Sequence, residues 1–210
     1  MALLCCRTAQ GKQSRHDYNS RGPNSISARV YPAHGKRIRI VYRKSHTLVD
    51  LSNDVSGCLD LIAPAFTRRI MKESLGIKVI DIVKKDDRLY LLLLAIAESN
   101  CNVQGYCGAA RDQTLILLKL GAGLKLEEKK SVILGDCKAN IEIIEPEVDY
   151  NFMGDPVVNL VFVDGKLTIV YDKIVYGPDG DEEAHTSSRL VYDRNFPEQG
   201  FDISNIEKKP

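Results

Sequence analysis

The sequence predicts a mainly β fold, an antiparallel sheet or sandwich of hairpins with one short helix near residues 64–75, and α+β as the neighbouring class. Three observations carry this. Apolar and polar residues alternate with a period of two in several segments, as half-buried strands require. Turn sequences separate those segments, Asp164-Gly165 most plainly. The longest apolar run, Leu89 to Ala97, is flanked by turns and is about half the length of a membrane span.

Taken in order, residues 1–28 have no periodicity, contain Gly22-Pro23 and are rich in Ser, Arg and Asn. They are expected to be a disordered basic leader. Arg37 to Tyr42 alternates basic and β-branched residues and reads as a strand with one wet face. Ser52-Asn53-Asp54 reads as a loop. Between Cys58 and Leu75, Leu59, Ile62, Phe66, Ile70 and Met71 have roughly helical spacing. Pro64 fits only the first turn of a helix, and Gly76 is its natural stop.

Strands then dominate. Ile77 to Val83 alternates, Lys84 to Asp87 turns, and Leu89 to Ala97 reads as a strand buried on both faces. Glu98 to Asp112 is a longer loop. Thr114 to Leu120 and Leu124 to Leu134 form strands around Gly121-Ala122-Gly123, and Asn140 to Ile144 ends before Pro146. Val157 to Asp164 and Lys166 to Tyr176 form a hairpin on Asp164-Gly165. Its register sets Val158, Leu160 and Phe162 opposite Tyr171, Ile169 and Leu167 on one apolar face. Gly177 to Glu183 turns again and Thr186 to Tyr192 returns. The domain reading is a leader 1–28, one β-rich domain 29–196 and a polar tail 197–210 packing through Phe201 and Ile203.

Charge is divided unevenly. Of the 29 Lys and Arg, ten lie at or before His46 against the single acid Asp17, leaving 19 basic against 27 acidic residues beyond. The arm 1–46 either carries no role or lies on the acidic body or on an anionic partner. It lacks the interleaved aromatics of a stacking platform, which argues against nucleic acid. Met1 to Cys6 is too short for a signal-peptide core and lacks a basic start.

Six cysteines stand at 5, 6, 58, 101, 107 and 137. None forms a Cys-x-x-Cys pair, and no histidine lies near the loop cysteines, so zinc ligation is not indicated. A hairpin centred on Ala122 would set Cys107 opposite Cys137, within disulfide reach. Cys101 competes for Cys107, and two free thiols in a reducing cytosol remain the plain alternative. Cys58 reads as a buried core thiol.

Gly105-Tyr106-Cys107-Gly108-Ala109, then a strand and Asp136-Cys137, resembles a pattern in uncharacterised exported bacterial β-rich proteins. There a Gly-x-Cys-Gly-Ala-Gly element precedes a hairpin ending in Ser-Cys. The resemblance covers about residues 89–144. Ala110 stands in place of the last glycine and Asp136 in place of the serine. It implies a periplasmic or secreted location and a disulfide, and it implies no activity.

Chemistry-bearing motifs are sparse. His16, His34, His46 and His185 lack i, i+4 partners, and no phosphate loop, metalloprotease or nucleophile-elbow motif occurs. Asp179, Asp181 and Glu183 offer oxygen donors for Ca²⁺, but a solvated hairpin tip accounts for them. Glu142, Glu145, Glu147 and Asp149 read as water-facing acids around Pro146. The sequence thus implies no catalytic residue, no cofactor and no metal. It points to a non-enzymatic binding or structural module recognising through the Glu98 to Asp112 loop, with Tyr106 as the exposed aromatic and Arg111 and Asp112 as further recognition-loop candidates. The alternative is a cytosolic protein with free thiols, either an enzyme with a dispersed site or a partner-binding domain.

Overall fold

The computed structural model describes residues 28–32, 36–55, 76–98, 111–145, 148–150, 156–158, 160–176 and 182–206. The expected helix at 64–75, residues 1–27 of the expected leader 1–28, and Cys58 lie outside them, whereas Ala28 is the first residue of a strand. The described residues are almost entirely antiparallel strand, as expected. No helix among them is long and apolar enough to cross a membrane.

A central four-stranded sheet runs β4 (Gly76–Lys85), β5 (Arg88–Glu98), β6 (Arg111–Leu120), β7 (Leu126–Gly135). The turn between β4 and β5 holds Asp86 and Asp87 at φ 49° and 59°, the geometry of a two-residue hairpin turn. Both faces of the sheet are covered. On one side Leu89, Leu91, Leu93, Ile116 and Leu118 pack with Ile38, Ile40, Val49 and Leu51. Those come from a sheet of β1 (Ala28–Pro32), β2 (Arg37–Tyr42) and β3 (Ser45–Asp50), with the turn after it. On the other side Tyr90, Leu92, Leu94, Leu115 and Leu117 pack with Leu167, Ile169, Leu190 and Tyr192 of a five-stranded sheet. This explains the unbroken apolar run in β5: a strand buried on both faces has no position for a polar side chain. Each buried leucine contributes roughly 1.5–3 kcal/mol of transfer free energy.

The five-stranded sheet holds β11 (Phe162–Val163), β12 (Lys166–Tyr176), β13 (Glu182–Asp193) and β14 (Phe201–Ile206) in that order. β8 (Ile141–Glu145) also pairs with β12. A separate pair joins β9 (Val148–Tyr150) to β10 (Pro156–Val158). The predicted turn is present, with Asp164 at φ 49° and Gly165 at φ 77°, and its register gives Phe162 opposite Leu167. The hairpin stops there, however. Tyr171 faces Ile143 of β8 rather than Val158, which belongs to the pair with β9. Pro156 has no N–H for a long ladder, whereas β8 brings Ile143 onto the same apolar layer. Leu160 and Phe162 still pack on that layer, as their alternation predicts.

Two further expectations are corrected. The segment read as a polar tail contains β14, paired with β13 along its length. Phe201 meets the Tyr192 ring edge-on at 6.4 Å, which anchors a strand too short and polar to register as one, while Ile203 is 46% exposed rather than packed. β1 and β3 join the predicted strand β2 to form a sheet. Finally, Gly121 to Lys125 is a five-residue connection, closed by Gly121 N–H donating to the Lys125 carbonyl at 2.8 Å. Leu124 is drawn into the core at φ 63°. β7 therefore starts at Leu126, not Leu124, and two bulges shift the ladder until Gln113 faces Gly135. Continued by that register, Cys137 would come level with Arg111 rather than Cys107.

Candidate functional site

Tyr106, Cys107 and Cys101 lie outside the described residues, as do Asp179 and Asp181. Glu183 is exposed on β13, at the bulge where Tyr176 pairs with Glu182. Arg111 and Asp112 are not loop residues but the first two positions of β6, paired with Glu98 and Ala97. Asp112 is buried, which corrects its reading as a recognition-loop residue. The strand extends because the ladder with β5 continues past the apolar run, and the alanines at 95 and 97 leave room for polar side chains beside them.

This end of the central sheet is chemically unlike the rest. Asp112 and Thr114 continue the face of Ile116 and Leu118, while Gln113 continues the face of Leu115. All three are buried. Gln113 Oε1 and Thr114 Oγ1 have no hydrogen-bond partner among the described residues. Asp136 is also buried, and its Oδ1 accepts the backbone N–H groups of Lys138 and Ala139 at 2.9 and 3.0 Å. That shapes the turn from Cys137 to Asn140, closed by the Asp136–Ile141 bridge. A polar, half-built rim thus flanks Cys137 and both ends of the 99–110 connection.

A second cluster lies on the outer face of the five-stranded sheet. Asp172 on β12 faces Ser187 on β13 and Glu142 on β8. His185 sits diagonally from it, and its Nε2 makes a close contact with Asp172 Oδ2. Its Nδ1 lies 3.4 Å from Glu182 Oε1. Asp172 is buried and orients the ring. Both ring nitrogens face carboxylates. No group of three His, Cys, Asp or Glu among the described residues is arranged to hold a metal. Linear spacing hides this pair because it joins two strands. Only the β12–β13 register could have revealed it.

A third cluster bridges the central and five-stranded sheets. Asp81 on β4 is buried and accepts a bond from Arg194 Nη2 at 2.9 Å. Arg194 follows β13 and lies over the Phe162 ring at 5.3 Å. Burial raises the Asp81 carboxyl above its ordinary range, opposed by the Arg194 charge. Burial, reinforced by the Asp81 charge, likewise raises the Tyr192 hydroxyl, which stays protonated.

Comparison with family models, curated proteins and solved structures returns no match for this chain.

Proposed function

We propose that the chain is a non-enzymatic binding or structural β-module of an exported or cell-envelope protein. Its recognition surface is the 99–110 connection, fastened to the β7–β8 turn by a disulfide between Cys107 and Cys137.

One observation supports this most: Cys137 is disulfide-bonded, at the rim where Asp112, Gln113, Thr114 and Asp136 are buried. Its partner lies outside the described residues. The β5–β6 connection offers two candidates, Cys101 and Cys107. Cys107 is four residues before β6, the strand hydrogen-bonded to β7. Cys101 follows β5, one strand farther from Cys137. A stable disulfide favours an oxidising compartment. Buried polar groups joined to a crosslink favour a rigid loop, the form in which a binding surface loses least entropy on engagement.

The test is thiol blocking during cell lysis, followed by intact mass with and without reductant. Cys137→Ser and Cys107→Ser should both lose the linkage, and Cys101→Ser should keep it. Loss in Cys101→Ser alongside Cys137→Ser, with retention in Cys107→Ser, would reassign the pair. Six thiols blocked without reductant would overturn the export reading and leave the cytosolic alternative.

A further inference from the structure

We infer that Asp81, Tyr192 and Arg194 form a proton-controlled latch between the central and five-stranded sheets, tightened when Asp81 takes up a proton from solvent.

The latch is made by one irregularity. Val79 pairs with Leu93 and Asp81 with Leu92, so Ile80 is an inserted residue opposite no partner of its own. Ile77 and Val79 face the apolar layer of Ile38 and Leu51. In an unbroken strand Asp81 would follow them there. The bulge turns it to the opposite side, toward Tyr192. Re-aiming a side chain is a common use of a β-bulge.

What Asp81 meets there is incomplete. Its Oδ1 is satisfied by Arg194, but Oδ2 and the Tyr192 hydroxyl are both buried without a partner at full hydrogen-bond geometry among the described residues. The two groups are close enough to interact. The charged and titratable groups on the cluster are Arg194 and Tyr192, with Asp193 acting on the tyrosine. The β5 residue opposite is Leu92, and Phe162 and Phe201 close the aromatic side. Arg194 is therefore the cation that compensates the buried carboxylate, and its side chain is 45% exposed. Its backbone N–H donates to the Gly165 carbonyl at 3.0 Å, so the Asp164-Gly165 turn holds the Arg194 backbone in place.

The direction follows from linkage. The folded carboxyl binds a proton more tightly than the unfolded one, whose ordinary value is about 4. Between that value and the raised folded value the native state carries the extra proton. Stability from this group is thus greatest in mild acid and falls as pH rises through the window. Above it, the layer contact encloses an ion offset by Arg194 and, to a smaller extent, by the Ile82 N–H and the Tyr192 hydroxyl.

The experiment follows thermal midpoints of the full chain from pH 4 to 8 for wild type, Asp81→Asn and Arg194→Gln. The amide is neutral at every pH. Asp81→Asn should therefore gain on wild type as pH rises, by a midpoint shift on the order of 3–6 °C for each tenfold change in the folding equilibrium. Arg194→Gln, whose half-exposed position spares the fold, should fall further behind wild type toward pH 8. Curves that stay parallel across the range for Asp81→Asn, or for Arg194→Gln if the first variant does not fold, overturn the latch.

Discussion

The two layers packed on the central sheet differ in kind, although the same two strands supply both. Alternate residues of β5 and β6 face opposite ways, and both sets are leucine-rich. Under β1–β3 the contact is closed by Ile38, Ile40, Val49, Leu51 and Val55, with Val30 and Tyr42 packed against it and Asp112 and Thr114 buried at one end of the same face of β6. Against β11–β14 it also takes in Tyr192, and the bulge in β4 adds Asp81. Away from the Asp112 end of β6, the difference comes from the covering sheets and from one inserted residue in β4. A dry seam depends on area and shape and is indifferent to pH. A seam holding an acid adds a dependence on protons.

The largest effect should come from cutting the apolar part of each seam. Leu93 and Leu92 are adjacent in β5, fully buried, and point into opposite layers. Leu93→Ala and Leu92→Ala should each lose about 2–5 kcal/mol in urea unfolding. The comparison lies in how the losses vary. Leu93→Ala should cost the same at pH 5 and pH 8. Leu92→Ala opens space opposite Asp81. Water reaching the carboxylate should lower its proton affinity toward the ordinary value and flatten the pH dependence. Equal pH profiles in the two variants would mean that the layers do not differ in this way.

The polar rim of the apolar seam comes next. Lys129 donates to Asp54 Oδ2 and to the Asp50 carbonyl, and Ser131 donates to Asp54 Oδ1 at 2.9 Å. These bonds fasten the turn after β3 to β7. The Asp54 side chain is 8% exposed, so its partners are well shielded from water. Asp54→Ala should cost about 1–3 kcal/mol, the range for a hydrogen bond to a charged group left unmade. The loss should be largely insensitive to 0.5 M salt. A loss that disappears in salt would place this pair with ordinary surface ion pairs.

Parts of this contrast were legible in the sequence, and the reasons are local. The run from Leu89 to Ala97 announces a strand covered on both faces. Arg37 to Tyr42 announces one covered on a single face, and the outcome agrees: Ile38 and Ile40 are buried, Arg37 and Arg39 exposed. Asp164-Gly165 fixes a turn because both positions need positive φ. What stayed hidden depends on partners. The bulge at Ile80 leaves the composition of β4 unchanged and shows only in its pairing. The turn from Gly121 to Lys125 widened because Leu124 gains more inside the core than in a tight hairpin, and that moved the register behind the cysteine alignment. Asp112 looked like loop because a carboxylate rarely continues an apolar strand. His185 and Asp172, thirteen positions apart, meet only through the β12–β13 register.

The smallest effect belongs to the rim of the titratable seam. Lys85 donates to Glu198 Oε1 at 2.7 Å and to the Asn195 carbonyl at 3.2 Å, and lies over the Phe196 ring at 5.1 Å. The hydrogen bond from Lys85 holds the Glu198 carboxyl below its ordinary range, and the same bond raises the Lys85 ammonium. Stability from the lowered acid is fully present above the ordinary glutamate value and is lost as pH falls through the folded one. This is the opposite sign to Asp81, from a residue on the same side of the molecule. Both partners are open to water, so screening should leave little at neutral pH. Glu198→Gln should move the thermal midpoint barely beyond error at pH 7 and by less still below pH 4. A midpoint drop at pH 7 as large as that of Asp54→Ala would show that the rims of the two seams are equivalent, and would confine their difference to the buried acid at Asp81.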